Sequence, residues 1–367
     1  MIENLEKISL RQVIFLLVMS HLAIVLLSFS SSNQDIWISE IFALFYIAIL
    51  SAPLLFLSKQ FANLTLVEYI PILTGKWVGK ILGVLYVAFF LFNATVDLSL
   101  FDNILRPINF PETPDYAIIL LAVTSCAYAV YKGVECIART AEIFAPQILA
   151  VIILYTALQV NDMDLKVFLP ILADSTFSEI NSLAFTTAAR LNEIIVLAML
   201  VPTINKKENI NMIFMWTIIL TTVFSLIIIV STLAVLGIEL PKKTFDPYYL
   251  FIKQVNIYDF ITRMEYFMVG AWNVGMFMKI SLWLYLATMG LVQVLGLKRR
   301  KVLIIPMAIV IFMTALKTDI IKSVVVFYIL EYYVPNINLI FIFGIPAIVL
   351  VMFFLKKTMK MKSDCNR

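Results

Sequence analysis

Runs of about twenty apolar residues recur along the whole chain, and this repeat decides what it can fold into. Ten can be marked, at 12–31, 36–58, 81–104, 115–131, 143–160, 184–204, 211–236, 264–294, 302–317 and 336–355. A helix of roughly 20 residues spans about 30 Å, the thickness of a bilayer's hydrocarbon layer. In lipid no water satisfies the backbone, so a spanning segment must be a helix or part of a closed barrel. The alternating pattern of a barrel strand is absent, which leaves helices. The expected fold is an all-α polytopic membrane protein with about ten transmembrane helices in a single domain over 1–367. Prolines fall in or beside several runs (Pro53, Pro146, Pro202, Pro306, Pro346) and predict kinks.

Composition excludes the alternatives. Hydrophobic residues make up 62% of the chain and charged ones 14%, with a mean hydropathy of +0.97. A soluble domain has roughly 45–50% and 25%. Cys126, Cys136 and Cys365 are too few and too scattered for a disulfide framework or a metal site. One histidine and no Cys/His cluster argue against a metalloenzyme, and the lack of a P-loop or dinucleotide fingerprint argues against an ATP-driven pump, so a non-enzymatic protein without cofactor or metal is expected. Residues 1–11 are mixed in charge and no small-residue cleavage site comes after them, so the first run reads as a retained span.

Lysine and arginine set the expected orientation. With the N-terminus inside, the inner segments hold 18 of them and the outer segments 8, the asymmetry of the positive-inside rule. Both termini are then cytoplasmic. The "KRRK" at 298–301 reads as a topological anchor, with no nucleic-acid partner implied. The long loops 161–183 and 237–263 fall outside and can hold short surface helices.

Four charges lie well inside predicted spans, away from their ends: Asp97, Arg190, Glu193 and Lys279. Each costs about 2.5 kcal/mol or more at the bilayer centre unless it meets a partner or a water-filled cavity. Arg190 and Glu193 are spaced i, i+3 around Asn192, so a continuous helix would pair them. Two readings stand, a self-neutralised ion pair and the polar wall of a cavity. Lys279 reads as a bundle-interior cation meeting backbone carbonyls, and Asp97 as a contact between helices. His21 reads as an interhelical hydrogen-bond donor, with a ligand role the alternative.

"KGVECIARTAEIFAP" (132–146) puts three more charges at the seam of two runs. Gly133 reads as the stop of the fourth span, and the segment from Val134 onward as the start of the fifth. Glu135, Arg139 and Glu142 are spaced i, i+4, i+7, so Arg139 can pair with both acids.

A series of stretches, in order along nearly the whole chain, resembles the spore germination permease family, the B subunits of nutrient germinant receptors. These are "ISLRQ" (8–12), "QDIWIS" (34–39), "TLVEYIPILTGKWVGKILG" (65–83), "FPETP" (110–114), "GVECIARTAEIFAP" (133–146), "DLKVFLP" (164–170), "NEIIVLAMLVP" (192–202) and "TRMEYFMVGAWNVGMFMKISLWLY" (262–285). The family is similar to the amino acid–polyamine–organocation transporters. That likeness implies a LeuT-type fold of two inverted five-helix repeats whose first and sixth helices break near the midplane.

The resemblance implies a receptor subunit that binds a small nutrient, an amino acid being the expected class. A- and C-type receptor subunits would be its partners in the spore inner membrane. An amino acid secondary transporter of the same fold is the alternative, and a ligand-free scaffold a third class. The implied ligand site lies where spans 1, 3, 6 and 8 meet, with Ser28, Asp97, Asn192, Glu193 and Asn273 as candidates. Glu193 is the first choice, with Arg190 its partner before a ligand competes. Glu135, Arg139 and Glu142 are either an interfacial salt-bridge ladder or a cytoplasmic latch on the inner pathway. In one place the chain departs from the family pattern. Ala23, Val25 and Ser30 stand where the family's first span carries its glycines and proline, which predicts a shallower break or a different ligand.

Overall fold

A computed structural model describes residues 6–25, 33–173, 175–244, 246–255, 265–319 and 333–365. The chain runs α1 (Leu10–Val25), α2 (Ile36–Gln60), α3 (Leu66–Thr74), α4 (Lys76–Asn109), α5 (Asp115–Lys132) and α6 (Val134–Leu158). It continues with α7 (Phe177–Arg190), α8 (Glu193–Leu200), α9 (Ile210–Leu236), α10 (Glu239–Lys242) and α11 (Pro247–Lys253). The last elements are α12 (Glu265–Leu295), α13 (Lys301–Asp319), α14 (Val334–Leu339) and α15 (Ile345–Cys365), the final two joined by a π turn at Ile340–Gly344. Eight helical spans among the described residues are long and apolar enough to cross a membrane, and the 16-residue α1 is a shorter apolar helix. α7 with α8, and α14 with α15, each form one of these spans.

The family-like stretches coincide with the local devices that start, stop and tie helices. Ser9 and Gln12 form a reciprocal cap at the start of α1, with Ser9 N–H donating to Gln12 Oε1 at 2.9 Å and Gln12 N–H to Ser9 Oγ at 3.2 Å. Thr65 and Glu68 make the same box on α3, and Thr176 and Glu179 on α7. "QDIW" and "VFLP" meet across the fold. Gln34 Nε2 donates to Pro170 O at 2.5 Å, and Leu172 N–H donates to Asp35 Oδ1 at 3.2 Å. In the last span Pro346 has no N–H to give the π turn, and the Tyr86 hydroxyl donates to Phe341 O at 2.9 Å.

α12 and the α7–α8 span are the most buried, and α12 shares its largest interface with α4. Gly275 lets α12 approach α1 closely, since a Cβ there would lie 3.2 Å from Ala23 Cβ. The core thus places α1, α4, α8 and α12 around one centre. α1 is regular through Ala23 and Val25. Ser28 and Ser30 lie outside the described residues.

The two long loops hold short helical elements, as expected. Residues 160–162 and 165–168 form 3-10 turns, and 239–242 and 247–253 are the short helices α10 and α11. Asp246, just before α11, is half-buried with no hydrogen-bond partner for Oδ1 among the described residues, and burial pushes its carboxyl up to about 7. A raised carboxyl binds its proton more tightly folded than unfolded, so it destabilises the fold as pH climbs. Wild-type thermal stability, relative to Asp246→Asn, should fall between about pH 4 and 7 and stay level above. Parallel melting curves across that window would show that Asp246 does not titrate there.

Candidate functional site

The sixth span is broken without proline or glycine. Leu191 leaves helical geometry at φ −78° and ψ 66°, and α8 starts again at Glu193. Asn192 holds the gap, its Nδ2 donating to Asn93 Oδ1 of α4 at 2.6 Å. Asparagine competes with the backbone for hydrogen bonds, which suits it to a helix break. The break frees carbonyls at the end of α7 and N–H groups at the start of α8, where the helix dipole is positive.

Glu193 sits at that start and is 1% exposed. Its Oε1 accepts from Lys279 Nζ of α12 at 2.7 Å, and His21 Nδ1 of α1 stands 3.5 Å from Oε2. Asp97 of α4 is buried within electrostatic reach of Lys279 and Glu193. Among the described residues, Asp97 Oδ2, Asn192 Oδ1 and Glu193 Oε2 have no hydrogen-bond partner. Four elements therefore bring one lysine, two carboxyls, a histidine and two amides to the middle of the bundle.

The pairing differs from the sequence expectation. A continuous helix would have set Glu193 against Arg190, but the turn at Leu191–Asn192 carries the carboxylate round to Lys279 and His21. Lys279 meets this carboxylate rather than backbone carbonyls. Arg190 instead lies in electrostatic range of Glu40, a buried acid of α2 that also faces His21 and Ser225. Glu40 stands inside the run 36–58, and a count of charges within runs would have found it. Asn93 gave no such signal, because a neutral amide in a span is unremarkable.

Asn273 is not part of this centre. It is six residues from Lys279 on α12, about 120° around the helix, and lines a cavity with α4 and α5. Among the five sequence candidates, the structure brings Asp97, Asn192 and Glu193 together and sets Asn273 apart. Ser28 lies outside the described residues.

The N-terminal segment clasps one end of the bundle. Ile8, fully buried, bonds in parallel register to the stretch after α8, its N–H donating to Thr203 O at 2.9 Å while its carbonyl accepts from Asn205 N–H at 3.1 Å. Glu6 accepts from the Glu135 N–H at 3.1 Å, capping α6, and stands 3.7 Å from Arg300. Arg300 lies over the Tyr285 ring, 4.5 Å from its centroid. Gly133 stops α5 as its position predicts, with φ +106°, and a Cβ there would collide with the Glu6 carboxylate.

The three seam charges divide their pairing. Arg139 Nη2 donates to Glu135 Oε1 at 2.5 Å, with Arg139 exposed and Glu135 partly so, their side chains 67% and 37% accessible. Glu142 turns to α1 instead, accepting from Gln12 Nε2 at 2.8 Å, with Arg11 Nε at 3.8 Å. Helical spacing allowed Arg139 both acids, but a partner 130 residues away is invisible to spacing. Arg139→Ala should therefore change stability by less than about 1 kcal/mol, and Glu142→Ala should cost about 1–2 kcal/mol, read by thermal unfolding in detergent. The reverse order would place the structural tie on the Glu135–Arg139 pair.

A family model described as "Spore germination protein" matches residues 7–323. Spore germination protein KB of Bacillus subtilis (strain 168) is 23% identical over 289 residues, 77% of this chain and 78% of its own length. Spore germination protein A2 of the same organism is 22% identical over 293 residues, 80% of each chain. Among solved structures, a substrate-bound, outward-open Na+-coupled sialic acid symporter aligns with TM-score 0.65 at 14% identity, covering 91% of this chain and 79% of its own. MhsT in complex with L-phenylalanine aligns with TM-score 0.61 at 14% identity, covering 94% and 97%. The backbone is thus that of the LeuT-type transporters, with α7–α8 as the broken sixth helix. With the match over most of its length and that fold beneath it, this multi-pass membrane chain belongs to the spore germination protein family.

Proposed function

We propose that this chain is the transporter-like B subunit of a nutrient germinant receptor. In this reading it binds an amino acid at the Glu193–Lys279 centre and triggers germination through A- and C-type subunits. The observation that carries this is the buried Glu193–Lys279 pair at a helix break, beside acceptors that lack hydrogen-bond donors among the described residues. A zwitterion fits both halves of the pair. Its ammonium would donate to Glu193, Asp97 and Asn192, and its carboxylate would take Lys279 and the free N–H groups of α8. Each buried charge keeps a counter-ion through the exchange, which a ligand with a single charge cannot offer. MhsT, similar in fold, is described in complex with L-phenylalanine.

Symporters share this fold, so transport of the same ligand is the second reading. Labelled amino acids and proteoliposomes separate the two: binding without flux supports the receptor, flux supports the transporter, and neither overturns both. The proposed orientation has both termini cytoplasmic, in the spore inner membrane, on the basis of the lysine and arginine distribution. A membrane-impermeant thiol reagent added outside should modify Lys166→Cys and spare Arg299→Cys. The opposite labelling would invert the topology.

A further inference from the structure

His21 is the only histidine in the chain, and the ligand contacts proposed above leave it without a task. It lies on α1 beside two buried acids. Its Nδ1 stands 3.5 Å from Glu193 Oε2, the carboxylate oxygen that Lys279 leaves open. Glu40 of α2 lies within electrostatic reach of the ring, with Arg190 of α7 and Ser225 of α9 beside that second carboxyl.

Among the described residues, the other helices packed on α1 turn their titratable groups to other partners. On α12, Lys279 is held by the far oxygen of Glu193 and faces Asp97 of α4. On α6, Glu142 meets Gln12, about two and a half turns before His21, with Glu135 and Arg139 farther off. Tyr155 of α6 faces Glu265 and Tyr248.

Histidine is the side chain that ordinarily changes charge between pH 5 and 8. A neutral imidazole has one N–H to donate, whereas the protonated ring has two and a full charge. A buried charge needs a counter-charge, and here two carboxyls supply it. A proton also has a way in, because the His21 side chain keeps 10% of its surface accessible, against 2% for Glu193.

We propose that His21 is a proton-binding site whose charge competes with the ligand for Glu193. Without ligand, the protonated ring stabilises Glu193 Oε2. An incoming ammonium needs that same oxygen, and two cations on one oxygen repel each other. Ligand binding therefore expels the proton, and the proton weakens ligand binding by the same factor. The competition rests on the amino-acid site proposed above, whereas the proton site does not.

The test is NMR of the full chain in nanodiscs, labelled with carbon-13 at histidine Cε1 and purified without a polyhistidine tag, so that one imidazole signal is seen. Without ligand, that signal should move through a single protonation step between pH 5 and 8. A signal that keeps one chemical shift across that range would overturn the proton site. Glu40→Gln should lower the midpoint by about one pH unit, a tenfold loss of proton affinity from removing one neighbouring acid. An unchanged midpoint would take Glu40 out of the site. A mixture of the common L-amino acids should lower the wild-type midpoint by about one unit or more, and labelled amino acids should bind up to about tenfold more weakly per pH unit below it. His21→Gln, which keeps a donor and holds no charge, should bind them with one affinity from pH 5 to 8. The wild-type pH dependence persisting in that variant would assign the proton to another group and overturn the role of His21. Amino-acid binding that leaves the wild-type midpoint in place would overturn the competition. Absence of amino-acid binding at every pH would overturn the amino-acid reading and the competition with it, while the titration without ligand decides the proton site by itself.

Discussion

Glu193→Gln should abolish the response to nutrient and cost the fold about 3–5 kcal/mol, the usual penalty for leaving one member of a buried ion pair alone. Lys279 Nζ would face an amide oxygen at the centre of the bundle, with Asp97 as its remaining acid. Because function and stability fall together, the single variant does not separate them. The double variant Glu193→Gln with Lys279→Met removes both charges. It should recover most of the lost thermal stability, since a buried pair can often be replaced by apolar groups at little cost. It should not recover ligand binding, because a zwitterion would then find no counter-charge. Wild-type affinity for labelled amino acid in the double variant would exclude the pair as the ligand site and leave it a structural tie.

The second large effect is expected at Gly133. Its φ of +106° and ψ of 172° lie in a region that is essentially glycine's alone, so an alanine there costs about 1–3 kcal/mol in backbone strain. The new methyl would also collide with the Glu6 carboxylate. Relief comes by moving Glu6 off the α6 N-terminus and away from Arg300, which loosens the segment that pairs with Thr203 and Asn205. Ile8 reports this, being fully buried in the clasp. In a chain otherwise free of cysteine, Ile8→Cys should react with a thiol reagent at least tenfold faster once Gly133→Ala is added. Equal rates in the two backgrounds would show that the N-terminal segment is held without the Glu6 contact.

Local rules made much of this chain legible before its structure. Gly133 marks a helix stop because φ > 0 has few other occupants, and the long loops gave short helices between polar ends. The spans of the second, seventh and eighth runs lie within a few residues of α2, α9 and α12. Others differ for identifiable reasons. α6 begins at Val134, where the reading of Gly133 as a stop put the start of the fifth span, although the apolar run starts only at 143; the seam charges lie on the helix itself and pair along and beside it. The sixth run is two helices, since the Asn192 side chain, bonded to Asn93, takes the place of the proline or glycine that usually signals a break.

The sequence by itself determined the class: an excess of apolar residues in runs of bilayer length admits only helices, because the backbone must bond within itself. It also determined which residues resist lipid, since a charge in a span is costly wherever it lies. It did not determine their partners. Glu193 with Lys279 is a contact across 86 positions, and Glu142 with Gln12 one across 130. Spacing along one helix reports only i, i+3 and i+4 neighbours. The direction in which a buried charge turns depends on where the helix breaks and which helices close around it. Packing alone settled that Asn273, on the same helix as Lys279, lines a cavity with α4 and α5 instead of joining the Glu193 centre.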